Sequence, residues 1–199
     1  MEHIKPSKEG KLVLIIGPSG VGKSVILKRL RAGHPEFHFP KSATTRARRE
    51  GESVDLYHFV TEKEFDEMDS SSTFLEKAVV HGVGRYGTMI DEIVPPIMEG
   101  KTVIREVDVQ GFDSISRNDL FSGDNHPYEL QSIFIVPENT EQLIRRIQKR
   151  APISEEELQR RIASMEKEFE YADRCTHKVI NREGELEETI DEVEKLISR

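Results

Sequence analysis

The sequence lacks the features that define disulfide-stabilised, secreted and membrane-spanning proteins. Its one cysteine, Cys175, excludes an internal disulfide framework, and such cysteine usage is typical of a reducing compartment, so we expect a cytoplasmic protein. No apolar run approaches the roughly 20 residues that span a bilayer, and the longest strong run covers only residues 12–16. The first residues are too polar for a signal peptide. We therefore expect no membrane partner.

The chain also lacks an excess of positive charge. Lys and Arg number 29 against 37 Asp and Glu, and the net charge of −8 argues against a nucleic-acid partner bound through a basic surface. Positive charge is instead grouped at residues 46–49, 145–150 and 160–161. Such groups on an acidic protein suggest sites for a small anion, and solvated helix faces are the alternative for the second and third groups. No feature predicts an oligomeric state.

Strand-like and helix-like segments alternate along the 199 residues, a length that suits one domain or one core with an inserted subdomain. A continuous apolar run predicts a buried strand over residues 11–16, and residues 102–107 and 132–136 are interpreted as two more core strands. Capping residues predict helices that begin after Thr61, Asn139 and Ser154, and apolar spacing predicts a last helix over 186–197. This alternation predicts an α/β fold with a mainly parallel sheet.

The most specific local pattern is a phosphate-binding loop. Eight consecutive residues match G-x-x-x-x-G-K-[ST] in full, namely Gly17, Pro18, Ser19, Gly20, Val21, Gly22, Lys23 and Ser24. The glycines allow the backbone to turn its N–H groups toward phosphate oxygens, and the helix that follows adds its positive end. We expect a nucleoside triphosphate here, with Lys23 at its β- and γ-phosphates and the Ser24 hydroxyl on Mg²⁺.

A second series of motifs narrows the function. It begins with Ser42-Ala43-Thr44-Thr45-Arg46 and continues with Tyr57-His58-Phe59, Phe74-Leu75-Glu76, Tyr86-Gly87-Thr88 and Glu106-Val107-Asp108-Val109-Gln110-Gly111. With the phosphate loop, this series resembles the guanylate kinase family over about residues 11–181. The resemblance implies a P-loop NTPase-type parallel sheet core flanked by helices, with an inserted acceptor-binding subdomain and a short helical lid.

The resemblance also implies boundaries and a reaction. The core is expected at residues 1–40, 96–140 and 165–199, the GMP-binding subdomain at 41–95 and the lid at 141–164. The expected reaction is transfer of the γ-phosphoryl group of ATP to GMP, with Mg²⁺ as cofactor and ATP and GMP as small-molecule partners. Two alternatives stay open, namely a kinase of the same fold for another phosphorylated acceptor such as a ribose bisphosphate, and an inactive interaction module. The intact Lys23 and Ser24 speak against the second.

The resemblance further assigns roles to particular residues. The implied GMP-binding residues are Ser42, Arg46, Arg49, Tyr57, Glu76, Tyr86, Thr88 and Asp108. Among these, the arginines and tyrosines would hold the acceptor phosphate, and Ser42, Glu76 and Thr88 would read guanine. Arg146, Arg150 and Arg161 would be lid arginines that act with Lys23 on the transferring group, although Arg146 could instead form a helix salt bridge. Glu106 would lie near the metal and its waters.

The chemistry of these residue types supports the same function. Arginine forks meet a phosphate dianion with two parallel hydrogen bonds. A carboxylate such as Glu76 can accept from both N1–H and the 2-amino group of guanine, whereas adenine would leave it unpaired. The match departs from the family pattern in two loops: residues 51–59 are one residue shorter than usual, and Arg85 stands where the family has a tyrosine.

Overall fold

A computed structural model of the chain describes residues 10–50, 56–80, 83–150 and 154–199. The strands are β1 (Lys11–Ile16), β2 (Ser42–Thr44), β3 (Tyr57–Phe59), β4 (Phe74–Val80), β5 (Gly84–Met89), β6 (Thr102–Glu106), β7 (Glu129–Pro137) and β8 (His177–Asn181). The α-helices are α1 (Lys23–Gly33), α2 (Glu62–Ser70), α3 (Val94–Met98), α4 (Val109–Ser116), α5 (Thr140–Arg150), α6 (Glu155–Phe169) and α7 (Leu186–Ile197).

The predicted α/β fold is confirmed by a four-stranded parallel sheet in the order β6-β1-β7-β8. Five of the six residues of β1 are buried, as expected for a strand that is covered on both faces. Strand β8 pairs in parallel with β7, with Ile133 opposite His177. The three predicted core strands are therefore confirmed as β1, β6 and β7. Strand β8 is a fourth strand of this sheet that the sequence analysis did not predict.

A second sheet has the order β3-β2-β5-β4. Strands β2 and β3 run parallel, whereas β5 runs antiparallel to both β2 and β4. One face of this sheet is apolar: Ala43 and Met89 form a buried cluster with Phe65 of α2, and Phe74 stacks on Phe65 at 4.5 Å between ring centroids. The sequence did not predict this sheet, and two of its strands, β2 and β3, have only three residues, which are too few to show an alternating pattern.

The helix caps follow the sequence prediction. The Thr61 hydroxyl accepts from the Glu64 N–H, and the Glu64 carboxylate accepts in turn from the Thr61 N–H, which forms a complete capping box at α2. Asn139 Oδ1 accepts from the Gln142 N–H at 2.8 Å at the start of α5. Side-chain acceptors at these positions satisfy N–H groups that have no partner within the helix.

The chain divides into two compact units, which are considered separately below. Unit 1 comprises Met1–Leu12, Glu36–Arg105 and Gln110–Leu130, and unit 2 comprises Val13–Pro35, Glu106–Val109 and Gln131–Arg199. The functional division into a core, a GMP-binding subdomain and a lid remains a prediction. Among the described residues, no helix combines the length and the apolar character that crossing a membrane requires.

Candidate active site

The phosphate loop of unit 2 depends on glycine backbone conformations. Gly17, Gly20 and Gly22 have φ angles of 145°, 85° and 111°, a region that side-chain-bearing residues rarely occupy. Space is limiting as well, because a Cβ atom at Gly17 would lie 2.4 Å from the Ile135 carbonyl oxygen. Helix α1 begins directly after Gly22 and has no acidic residue in its first turn. The loop and the helix therefore present backbone donors and a positive helix end, which suit a phosphate.

Lys23 places a cation at this loop. Its ammonium donates to the carbonyl oxygens of Gly17 at 2.6 Å and Pro18 at 3.2 Å, and it lies 3.7 Å from Glu106 Oε1. Burial lowers the pKa of Lys23, and the negative charge of Glu106 partly offsets that effect. The lysine is thus held by oxygen acceptors, and phosphate oxygens are acceptors of the same kind with a greater charge.

The two predicted metal-site residues lie together. The Ser24 hydroxyl donates to Glu106 Oε2 at 3.2 Å, beside the Lys23 ammonium. A hydroxyl and a carboxylate are the oxygen ligands that Mg²⁺ prefers, and this ion commonly takes its remaining ligands from phosphates and water. In the described part of the chain there is no cluster of three or more His, Cys, Asp or Glu residues suited to a metal. The residues at Ser24 fit a metal that arrives with a nucleotide.

Two side chains from distant segments hold one carbonyl of the loop. Asn181 Nδ2 donates to the Val21 carbonyl oxygen at 2.7 Å, and Arg146 Nη1 donates to the same oxygen at 3.3 Å. Asn181 is only 3% exposed, and its Oδ1 accepts from the Thr189 hydroxyl at 3.4 Å. Asn181 therefore stabilises the loop backbone through a buried polar network.

In unit 1, four of the predicted acceptor residues form one row across the second sheet. Tyr57 of β3 lies opposite Ser42 of β2, Ser42 opposite Thr88 of β5, and Thr88 opposite Glu76 of β4. Directly paired residues project from the same face of a sheet, so the row lies on the face opposite the apolar cluster of Ala43. Ser42 and Thr88 are buried, and the Thr88 hydroxyl donates to Glu76 Oε1 at 2.5 Å.

Arg46 lies against the aromatic side chains at one end of this row. Its Nε donates to the Tyr86 hydroxyl at 3.1 Å and its Nη1 to the Ala47 carbonyl at 2.8 Å. The guanidinium carbon lies 5.4 Å from the centroid of the Tyr57 ring and 5.5 Å from that of Phe59. Contacts of this kind fix a cation in place through its hydrogen bonds and through the faces of the rings. An arginine and two tyrosines thus converge, as an acceptor-phosphate site requires.

Comparisons with known proteins identify the family of the chain. The family model described as "Guanylate kinase" matches residues 9–199. The chain belongs to the guanylate kinase family. It is 36% identical over 177 residues to a guanylate kinase from Trichormus variabilis, covering 88% of this chain and 84% of that protein. It is 34% identical over 198 residues to a guanylate kinase from Clostridium perfringens, covering 99% and 87%.

A solved structure of a guanylate kinase from Anaplasma phagocytophilum shares the fold. It matches with a TM-score of 0.68 and 24% sequence identity, covering 96% of this chain and 86% of that one. This likeness concerns the arrangement of strands and helices. It agrees with the parallel sheet and flanking helices described above.

Other predicted site residues of this guanylate kinase family member are found in both units. Arg49 is exposed on the segment that follows β2. Asp108 belongs to unit 2, where its charge acts on Lys23 and on Glu168, whose pKa burial raises. Arg161 pairs with Glu157 within α6, with 3.0 Å between Nε and Oε1. The side chain of Arg150 lies outside the described residues.

The structure also identifies two residues that the sequence prediction did not place in either site. Arg105 of β6 donates to the Ser42 hydroxyl oxygen at 2.5 Å. A sequence signal was present, because Arg105 interrupts an otherwise apolar strand, and a charge within such a run needs partners. Asn181 is the second, and no local pattern indicated its bond to Val21, which lies 160 positions earlier in the chain.

Proposed function

We propose that the chain is a GMP kinase that transfers the γ-phosphoryl group of ATP to GMP in the cytoplasm, giving ADP and GDP. The observation that carries the proposal is the row of Tyr57, Ser42, Thr88 and Glu76. This row places an aromatic ring, two hydroxyl groups and a carboxylate side by side on one face of the sheet, where a nucleotide could contact them. The family membership and the intact phosphate loop support the same reaction.

The base preference follows from the donors and acceptors of the row. The ionised Glu76 carboxylate can only accept hydrogen bonds, and its side chain is 9% exposed. Guanine offers N1–H and a 2-amino group to such an acceptor, whereas adenine offers a lone pair at N1. A buried acceptor left without a partner lowers the efficiency for the wrong base by a large factor, about 10⁴–10⁵ where a site is built around such bonds.

The transfer step needs positioning and positive charge rather than a protein nucleophile. An oxygen of the GMP phosphate attacks the γ-phosphorus of ATP, and the bond from that phosphorus to the bridging oxygen of ADP breaks. Lys23 would bind the β- and γ-phosphates, and Arg46 would orient the acceptor phosphate. Mg²⁺, held by Ser24 and through water by Glu106, would supply further charge neutralisation when bound. Further positive charge around the transferring group would come from the lid arginines Arg146, Arg150 and Arg161. The acceptor phosphate would also be bound by Arg49, Tyr57 and Tyr86. Asp108 would lie beside the nucleoside.

The proposal is tested by coupling ADP formation to NADH oxidation, with GMP, AMP, CMP and UMP offered in parallel. We expect GMP to be preferred by orders of magnitude. Glu76→Gln should lower kcat/KM for GMP roughly 10²-fold, because an amide donor then faces guanine donors. The efficiency with AMP should stay the same or rise.

The matched control is Glu99→Gln, since Glu99 is an exposed carboxylate of the same unit that pairs with Lys101. This variant should keep wild-type kinetics. Preference of the wild-type enzyme for a nucleotide other than GMP would overturn the guanine assignment. A lack of ATP turnover with any of the four nucleotides would favour a different acceptor or an inactive interaction module.

A further inference from the structure

Arg105 is a cation in an unusual position. It lies on β6 directly after Val103 and Ile104, which are both fully or almost fully buried, and its own side chain is 18% exposed. Burying a guanidinium is unfavourable unless anions or hydrogen-bond acceptors surround it. The partners of Arg105 therefore indicate why a charge is retained in this strand.

Those partners belong to the row across the second sheet. Arg105 Nη2 donates to Ser42 Oγ at 2.5 Å, and the same nitrogen lies 4.0 Å from Glu76 Oε1. All three residues belong to unit 1. Two of the three predicted guanine-reading residues thus lie beside one guanidinium.

The guanidinium biases the hydrogen bonding of the Ser42 hydroxyl. Arginine has donors and no acceptors, so the Ser42 oxygen must accept from it, and the hydroxyl proton is then directed elsewhere. Likewise, an ionised carboxylate only accepts, so the Thr88 hydroxyl proton is directed to Glu76. Ser42 keeps its proton and one further lone pair, and the nearby positive charge favours donation of that proton to a ligand over acceptance of a second donor. Glu76 remains an acceptor.

We propose that Arg105 is a specificity-determining positioning residue, which favours Ser42 as a hydrogen-bond donor and thereby favours purines with a carbonyl at C6. This inference rests on the proposed GMP kinase function. A 6-oxopurine presents an acceptor to the Ser42 proton, whereas the 6-amino group of adenine presents a donor. Specificity arises because the positive charge of Arg105 strengthens Ser42 as a donor and disfavours a second donor, such as the 6-amino group of adenine, at the same oxygen.

The test compares wild type, Arg105→Leu, Ser42→Ala and the double variant with GMP, inosine monophosphate and AMP. Arg105→Leu should lower kcat/KM for GMP and for inosine monophosphate by the same factor, roughly ten- to hundredfold, because both carry the C6 carbonyl. The value for AMP should stay within a few-fold of wild type. The double variant should be no worse than the poorer single variant, because Arg105 acts through the hydroxyl that Ser42→Ala removes.

A structural role would give a different result, namely equal losses for all three nucleotides and additive effects in the double variant. Arg105→Lys keeps a donor-only cation, so its ratio of GMP to AMP efficiency should lie closer to wild type than that of Arg105→Leu. If Arg105→Leu is unstable in thermal unfolding, Ser42→Ala carries the same selectivity test, and an unchanged ratio in that variant overturns the inference.

Arg117→Leu is the matched control, since Arg117 is an exposed arginine of the same unit. Failure of wild type to phosphorylate GMP would refute the proposed function, whereas an active wild type with an unchanged ratio in the variants refutes only the role of Arg105.

Discussion

The buried bond between Asn181 and the phosphate loop can be tested by reversing its polarity. Asn181→Asp replaces the Nδ2 donor, which lies 2.7 Å from the Val21 carbonyl oxygen, by a carboxylate oxygen that can only accept. Two acceptors would then face each other at a site that is 3% exposed. Asn181→Ala removes the same donor without adding a charge, and it serves as the matched comparison.

The magnitudes follow from what each variant leaves behind. Asn181→Ala loses two buried hydrogen bonds, but the Val21 oxygen keeps its bond from Arg146 and the Thr189 hydroxyl keeps its bond to the Glu185 carbonyl. We expect a loss of about 1–2 kcal/mol in the free energy of unfolding. Asn181→Asp adds the cost of burying a charge beside an acceptor, so its loss at pH 7 should reach about 3–5 kcal/mol.

The pH dependence provides an independent check. Burial and the Val21 oxygen disfavour the charged form of the introduced carboxyl, so its pKa in the folded protein lies above the unfolded value of about 3.9. For a raised pKa, the favourable protonated state is present at low pH and is lost as pH rises through the folded value. The stability deficit of Asn181→Asp should therefore be smaller at pH 5 than at pH 7.

Urea unfolding at both pH values, followed by circular dichroism, measures these differences. The KM for ATP should rise several-fold in both variants while the KM for GMP changes less, because the loop belongs to the proposed ATP site. Equal deficits for the two variants at pH 7, with no narrowing at pH 5, would show that Asn181 does not act through its donor.

Three further predictions concern unit 2. Lys23→Ala should lower turnover by orders of magnitude at saturating ATP and GMP while the protein stays folded, and near-normal turnover would show that the loop is not catalytic. Burial raises the pKa of Cys175 to about 11, so its alkylation by iodoacetamide at pH 8 should be about 10²-fold slower in the folded than in the urea-unfolded chain, and similar rates would contradict this cause. A mimic that joins adenosine to guanosine through phosphates should slow amide hydrogen exchange in residues 145–150 and 154–161, and unchanged exchange with the mimic bound would argue against a closing lid.

The sequence alone determined the parts of the protein that depend on neighbouring residues. The phosphate loop could be predicted because its three glycines, Lys23 and Ser24 act within eight consecutive positions, where the backbone conformation depends on local sterics. The capping box of Thr61 and Glu64 could be predicted for the same reason, since both partners lie within one helical turn. The buried strand β1 followed from a continuous apolar run.

The family resemblance added the identities of the acceptor residues, but it did not supply their arrangement. Tyr57, Ser42, Thr88 and Glu76 come from four segments, and only the pairing register of β3, β2, β5 and β4 brings them into one row. A shift of one residue in any of these strands would move its side chain to the opposite face.

The tertiary structure alone decided the partners of Arg105 and Asn181. Arg105 meets Ser42 across 63 positions of sequence, and Asn181 meets Val21 across 160. No local pattern encodes such contacts, because they require distant strands and loops to close on one another before the hydrogen bond can form. The charge in strand β6 was visible in the sequence, but its partner, and hence its proposed role in choosing the base, depended on which strand folded beside it.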